Sequence, residues 1–137
     1  MPEIPPGTVP ISDWPLVCIA DAGWATRDSG DSQGGYLLLI AESAMLDRKH
    51  AQCWLVDWSS KKLKRAVRSS VAAEALSGQN GLDATELFQA LMLETLDGIA
   101  PRQFREMTPS KPAALVIDSK GFYDAITRSC CSQAIAT

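Results

Sequence analysis

Three acidic residues, Asp21, Glu74 and Asp118, have the types and positions needed to hold a metal ion. Asp21 and Asp118 each end a short apolar run, where an unpaired carboxylate is costly. Glu74 lies beside small and apolar residues of a predicted helix. Carboxylates that share a site repel each other, and Mg²⁺ or Mn²⁺ relieves this because both prefer oxygen ligands. Three acids can hold two such ions, which clamp the attacking and leaving oxygens in phosphodiester cleavage.

Each of these acids also has a purely structural interpretation. Asp21 can open a turn, Asp118 can cap a helix, and Glu74 can be a solvated helix charge. The distances between the three carboxylates in the folded protein must decide between metal binding and these structural roles. We assign surface or capping positions to the other prominent acids, which are Asp28, Asp57 and Asp124.

The elements that must position the acids begin with strands. Residues 16–20 form a continuous apolar run, which fits a strand buried on both faces, and residues 112–117 repeat this design before Asp118. Apolar runs at 36–41 and 53–58 predict two further strands. Turn-rich segments favour an antiparallel meander of the first three strands. The alternation in the third strand places three side chains on one face: Trp54, Val56 and Trp58.

Two helical segments follow from the remaining pattern. Residues 67–96 are mostly helical, with Ser69 or Ser70 as the cap. The apolar pattern weakens at residues 78–82, where two glycines favour a bend or an interruption of one long helix. A second helix begins after residue 118, capped by Asp118 or Ser119.

The order of elements predicts an α/β fold with a mixed sheet flanked by helices. A helical crossover usually returns its strand parallel to a central one. With the fourth strand beside the first, Asp21 and Asp118 lie at the same carboxyl end, where open α/β sheets bind ligands. Neighbouring strands are only about 4.8 Å apart, so the two carboxylates can share a cation.

Composition predicts one globular domain. The chain has 137 residues, of which 46% are hydrophobic and 21% charged. Residues 1–15 contain five of the eight prolines, so we assign them to a linker or tail and residues 16–137 to the domain. No signal peptide, membrane-spanning run or CxxC pair is evident, which favours an intracellular location in the cytoplasm or nucleus and no membrane partner.

The net charge of −3 argues against a globally basic nucleic-acid binder, but the basic residues are not spread evenly. Five of the thirteen lie between Lys61 and Arg68. Such a run is usually a solvated loop or helix end. Its position between the third strand and the helix of Glu74 leaves a binding role open.

Five motifs occur in the order and spacing of one known family: Asp21-Ala-Gly-Trp-Ala, Ser32-Gln-Gly-Gly-Tyr36, Trp58-Ser-Ser-Lys-Lys62, Ser69-Ser-Val-Ala-Ala-Glu74-Ala and Ile117-Asp118-Ser-Lys. Over about residues 16 to 128 the chain resembles the ribonuclease H domain of Ty1/copia-type retrotransposon polyproteins. The resemblance implies the ribonuclease H-like fold and cleavage of the RNA strand of RNA–DNA hybrids with two Mg²⁺ ions. It also implies a neighbouring reverse transcriptase domain, and it places the family's metal-binding acids on Asp21, Glu74 and Asp118.

The resemblance gives the basic run a role, because its position allows contact with hybrid phosphates near the metals. Phosphate contacts of this kind position a substrate without reading its sequence. The candidate residues are Ser59, Ser60, Lys61, Lys62, Lys64, Arg65 and Arg68.

The end of the sequence departs from the family. Its members continue into a further strand and helix that bring a fourth acid to the metals, whereas no residue after Asp124 is acidic here. We therefore expect the C-terminal strand and helix to be missing. This leaves an alternative function open, a catalytically inactive fragment that acts at most as a nucleic-acid-binding module. A third alternative is another nuclease or integrase of the same fold.

Overall fold

The part of the chain that the structure describes forms a mixed four-stranded sheet with two α-helices. The computed structural model describes residues 13–24, 30–64, 67–98 and 113–134. The elements in chain order are strand β1 (Leu16–Gly23), strand β2 (Gln33–Ala41), a short 3₁₀ turn (Ser43–Met45), strand β3 (Cys53–Lys62), helix α1 (Ser70–Asp97), strand β4 (Ala113–Val116) and helix α2 (Lys120–Ala134). None of the helices in the described ranges combines the length and the apolar character needed to cross a membrane.

The sheet has the strand order β3-β2-β1-β4. β1 pairs antiparallel with β2 and parallel with β4, and β2 pairs antiparallel with β3. The long helix α1 lies between β3 and β4 in the chain, which is the kind of connection that a parallel pair requires. The predicted α/β class and the position of the fourth strand beside the first are confirmed.

Strand β1 lies at the centre of the core and is buried on both faces along its first half. Its even-numbered residues Leu16 and Cys18 pack in a cluster with Leu38 and with Met92 of α1. The intervening Val17 packs on the opposite face with Leu39. Burial on both faces explains why the sequence of β1 does not alternate between apolar and polar residues.

The folded part of the chain begins before β1. Trp14 and Pro15 are buried, although the sequence assigned them to the linker. The ring of Trp14 packs on that of Trp54, with centroids 4.6 Å apart and an angle of 35° between the planes. Pro15 accepts a hydrogen bond from the Ala41 amide at 3.1 Å. The domain therefore includes these two residues, and residues 1–12 lie outside the described ranges.

Helix α1 is one uninterrupted helix of 28 residues. Of the two predicted alternatives at residues 78–82, a bend or an interruption, the interruption does not occur. Its cap is Ser69, whose hydroxyl accepts a hydrogen bond from the Ala72 amide. The glycines serve close packing instead of ending the helix. A Cβ atom on Gly81 would lie 2.6 Å from Cys18 Sγ, so only a glycine lets α1 approach β1 this closely.

Strand β3 contains a β-bulge that changes which side chains share a face. Leu38 pairs with Asp57 but Leu39 pairs with Leu55, so Val56 is the extra residue. The bulge changes the alternation, and Trp58 lies opposite Leu37 on the face away from Trp54. The prediction that Trp58 shares a face with Trp54 was therefore wrong. Trp58 remains 64% exposed.

Candidate metal centre

Asp21, Glu74 and Asp118 come together at one end of the sheet. Each offers a carboxylate oxygen, and the three oxygens all lie within 4.8 Å of one another. They come from three separate parts of the chain: β1, the second turn of α1 and the segment between β4 and α2. The structure therefore places the three predicted acids in one cluster.

The register of the parallel strands explains the position of the two aspartates. Ile19 pairs with Val116, the last pair of β1 and β4. Asp21 and Asp118 each follow two residues later, at the same level of the sheet. Both side chains are exposed, so a ligand can reach them from solvent.

The cap of α2 is Ser119, which leaves the carboxylate of Asp118 for another role. The Ser119 hydroxyl accepts a hydrogen bond from the Phe122 amide at 3.3 Å. Its carbonyl oxygen accepts another from the Tyr123 amide at 3.1 Å. Because the neighbouring serine caps the helix, capping does not account for Asp118.

Glu74 is buried, with 7% of its surface exposed, and it faces the two aspartates. Desolvation raises the pKa of Glu74, and the charges of Asp21 and Asp118 raise it further. A backbone hydrogen bond from Ala22 acts in the opposite direction. The Oε2 atom of Glu74 has no hydrogen-bond partner among the described residues. A carboxylate oxygen in this state is costly unless a cation or a proton compensates it.

The chemistry of this donor set fits a hard divalent cation. Three carboxylates supply only oxygen ligands, as Mg²⁺ and Mn²⁺ prefer, and the described part of the chain adds no histidine or cysteine to the cluster. The unpartnered Oε2 of Glu74 is the kind of buried polar atom that a bound cation would satisfy. Asp21, Glu74 and Asp118 would hold such an ion.

Ser77 is a residue of this site that the sequence did not indicate. Its hydroxyl lies 2.7 Å from the carbonyl oxygen of Asp21 and 2.9 Å from that of Gly35. It also accepts a hydrogen bond from the Gly35 amide at 3.2 Å. The serine stands one helical turn after Glu74, a spacing that places both side chains on the same side of α1. This spacing was the one signal in the sequence that could have indicated Ser77. It is a weak signal because a serine within a helix often bonds only to its own backbone.

The predicted phosphate-binding residues are divided between the two faces of β3. Successive residues of a strand alternate, so Ser59 and Lys61 lie on one face while Ser60 and Lys62 lie on the other. Ser60 accepts a hydrogen bond from the Gln33 side chain at 2.8 Å. Lys62 forms an ion pair with Asp31. These four residues therefore do not form one continuous binding stripe.

Two of the grooves that border these residues bear on substrate binding. A groove of about 360 Å³ runs between the end of β3 and helix α1, lined by Lys61, Lys62 and Lys64 together with Gln79 and Asn80. A smaller groove of about 250 Å³ is lined by both Asp21 and Ser60. Of these two, the smaller groove directly adjoins the acid cluster.

The last two members of the predicted set lie before α1. Arg68 is exposed and immediately precedes the capping serine Ser69. Its neighbour Val67 accepts a hydrogen bond from the Trp24 indole at 3.2 Å, which ties this segment to the end of β1. Arg65 lies outside the described residues.

Comparison with known proteins returned no relative. No family model, curated protein or solved structure matches the chain. The structure by itself establishes an α/β fold with a mixed sheet and an acidic triad with the oxygen donors for a metal ion.

Proposed function

We propose that this chain is a ribonuclease H-like domain, a metal-dependent endonuclease that cleaves the RNA strand of RNA–DNA hybrids. The observation that carries the proposal is the acid cluster, in which Asp21, Glu74 and Asp118 bring carboxylate oxygens within 4.8 Å of one another. The resemblance to Ty1/copia-type retrotransposon polyproteins names the same three residues. Asp21 and Asp118 both follow the last parallel pair of β1 and β4, at the end of the sheet where open α/β sheets bind ligands.

Each residue of the site has a definite task in this proposal. The three acids would bind the divalent ions, with Glu74 contributing the buried oxygen that has no hydrogen-bond partner among the described residues. Two Mg²⁺ or Mn²⁺ ions held by these acids would supply an activated water and stabilise the leaving oxygen. Lysines at the groove between β3 and α1 hold phosphates of the hybrid without reading its sequence. A reverse transcriptase domain of the same polyprotein is the proposed neighbour.

A second candidate function is a nucleic-acid-binding module without catalysis. The observation that favours it is the number of acids, because the cluster within the described residues contains three, one fewer than the resemblance implies. A site that lacks one ligand binds its metals more weakly. Binding to the hybrid does not need the metals if the lysines supply the affinity.

Cleavage of a labelled RNA–DNA hybrid by the full 137-residue chain separates the two functions. We expect cleavage with Mg²⁺ or Mn²⁺ and none with the metal chelated. Asp21→Asn and Asp118→Asn should abolish it, whereas Asp124→Asn, which removes the same charge outside the cluster, should not. Double-stranded DNA of the same sequence controls for substrate. If the folded wild type binds the hybrid but leaves it intact with both metals, the binding module is the correct function.

A further inference from the structure

Ser77 connects helix α1 to two strands at the level of the acid cluster. The side chain is 1% exposed, so its hydroxyl has no access to solvent and depends on protein partners. It has three of them: the carbonyl oxygens of Asp21 and Gly35 accept from it, and the Gly35 amide donates to it. Because a hydroxyl has one proton, the two carbonyl oxygens share that proton or take it in turn.

These partners stand opposite each other in the sheet. Asp21 of β1 pairs with Gly35 of β2 in the antiparallel register. A single side chain from α1 therefore bridges both strands at one pair, and one member of the pair is the aspartate of the acid cluster. The distance of 2.7 Å to the Asp21 carbonyl oxygen is the shortest of the three.

The residues that pack beside Ser77, one on β2 and one on α1, are small. A Cβ atom on Gly34 would lie 2.8 Å from Leu63 Cδ2 and 3.2 Å from both Cβ and Oγ of Ser77, so the glycine of β2 leaves room for both side chains. The neighbouring Ala73 is fully buried as well. This close packing holds α1 at a short distance from the end of β1.

The connection fixes Glu74, which lies one turn earlier on the same side of α1. The rotation of a helix about its axis determines where the oxygens of Glu74 lie relative to Asp21. A hydrogen bond from the next turn to the backbone of Asp21 itself restricts that rotation. Ser77 thus ties the helix directly to the residue that carries the opposing carboxylate.

We propose that Ser77 is a positioning residue that holds Glu74 against Asp21 and thereby sets the affinity of the site for its divalent cation. The proposal rests on the proposed function, because it requires that the three acids bind a metal. Partners that orient metal ligands typically change metal affinity about 10- to 100-fold when they are removed.

The test compares Mn²⁺ binding to the wild type and to Ser77→Ala, measured by titration of free Mn²⁺ with paramagnetic resonance. We expect the dissociation constant of Ser77→Ala to rise about tenfold. In hybrid cleavage, the Mn²⁺ concentration for half-maximal rate should rise similarly, while KM for the hybrid stays unchanged. Amide hydrogen exchange should become faster at Gly35, whose N–H loses its acceptor.

Thr85→Ala is the matched control. Thr85 is another buried residue of α1, and its hydroxyl donates to the Gly81 carbonyl within the helix, far from the acids. This variant should lose thermal stability but keep its Mn²⁺ affinity. A general loosening of α1 would instead weaken Mn²⁺ binding in both variants, which would overturn the positioning role.

The remaining outcomes separate the two proposals. Equal Mn²⁺ affinity of the wild type and Ser77→Ala overturns the positioning role and leaves the proposed function intact. A folded wild type that binds no Mn²⁺ overturns both. If Ser77→Ala does not fold, Ser77→Cys serves for the same comparison. A thiol is a weaker hydrogen-bond donor of similar size, so the Mn²⁺ affinity of Ser77→Cys should also be lower than that of the wild type.

Discussion

Asp21 in β1 and Asp118 just after β4 lie at the same level of the sheet, each two residues after the parallel pair formed by Ile19 and Val116. This register brings two exposed carboxylates together, and α1 adds the buried carboxylate of Glu74 from the side. Three negative charges at such a distance destabilise one another in the absence of a counter-ion. A bound cation or the loss of one charge should therefore change the stability of the protein measurably.

Divalent cations should stabilise the folded protein. At a Mg²⁺ or Mn²⁺ concentration of 100 times the dissociation constant, the free energy of unfolding should rise by about 2.7 kcal/mol because only the folded state assembles the three ligands. Differential scanning calorimetry with and without metal measures this rise as an increase in Tm. Asp21→Asn and Asp118→Asn should remove most of it.

Asp124→Asn is the control for the effect of net charge on Tm, since Asp124 lies outside the cluster. It should keep the full metal-dependent increase. An equal increase in the wild type and in both cluster variants would mean that the metal acts elsewhere on the chain.

Glu74→Gln should stabilise the metal-free protein at neutral pH. The pKa of Glu74 is raised above its ordinary value of 4.5 by burial and by the two aspartates. The folded state therefore binds more protons than the unfolded state between pH 4.5 and the raised pKa, and stability falls as the pH rises through that window. Glutamine avoids this loss. Urea unfolding in the presence of a metal chelator at several pH values measures the free energy of unfolding of both proteins.

The difference in the free energy of unfolding between Glu74→Gln and the wild type should be large at pH 7. It should be small at pH 4, because Glu74 is then protonated in the folded state and in much of the unfolded state. Glu86→Gln is the control, because Glu86 is exposed on the same helix. The same variant Glu74→Gln should lose the stabilisation by metal. A Glu74→Gln protein less stable than the wild type at pH 7 would contradict the electrostatic cost.

Gly81→Ala should destabilise the protein, whereas Gly78→Ala should not. A Cβ atom on Gly81 would lie 2.6 Å from Cys18 Sγ in the core, and overpacking of this kind costs about 1–3 kcal/mol. The nearest atom to a Cβ on Gly78 is Phe122 Cε1 at 3.5 Å, an ordinary contact. There the better helix propensity of alanine should contribute about 0.5–1 kcal/mol. Urea unfolding of the two variants measures the difference, and an equal effect on both would contradict the packing of α1 on β1.

Lys61→Ala should weaken hybrid binding and reduce its dependence on salt. Lys61 borders the groove between β3 and α1, and loss of one phosphate contact lowers the slope of log K against log salt by about one. Binding titrations at several salt concentrations give the slope. Lys49→Ala is the matched control, because Lys49 lies in the β2–β3 connection at the opposite end of the sheet. Equal slopes for Lys61→Ala and the wild type would exclude this contact.

The sequence predicted the parts of the structure that depend on burial and strand order. The apolar run before Asp21 indicated a strand buried on both faces, and β1 is an inner strand with a neighbour on each side. The long helical segment indicated a crossover, and β4 lies parallel to β1. These two features together were enough to bring Asp21 near Asp118.

Features that depend on packing could not be predicted. The bulge at Val56 changes the face of Trp58, and a single inserted residue leaves no signal in an apolar run. The glycines of α1 suggested a bend or an interruption because propensity was the only information available, whereas the close contact of Gly81 with β1 is a tertiary feature. Ser77 was missed for the same reason, since its partners are backbone atoms of distant strands.

The parallel pairing of β1 and β4 also determines when the acid cluster forms during folding. Leu16 pairs with Ala113, so the two strands are joined only after a loop of about 100 residues has closed, and the entropic cost of closure grows with loop length. The hairpin of β1 and β2 and the pairing of β2 and β3 involve much shorter separations and form faster. We therefore expect Asp21 to be in place before Asp118, which joins the acid cluster when β4 pairs with β1.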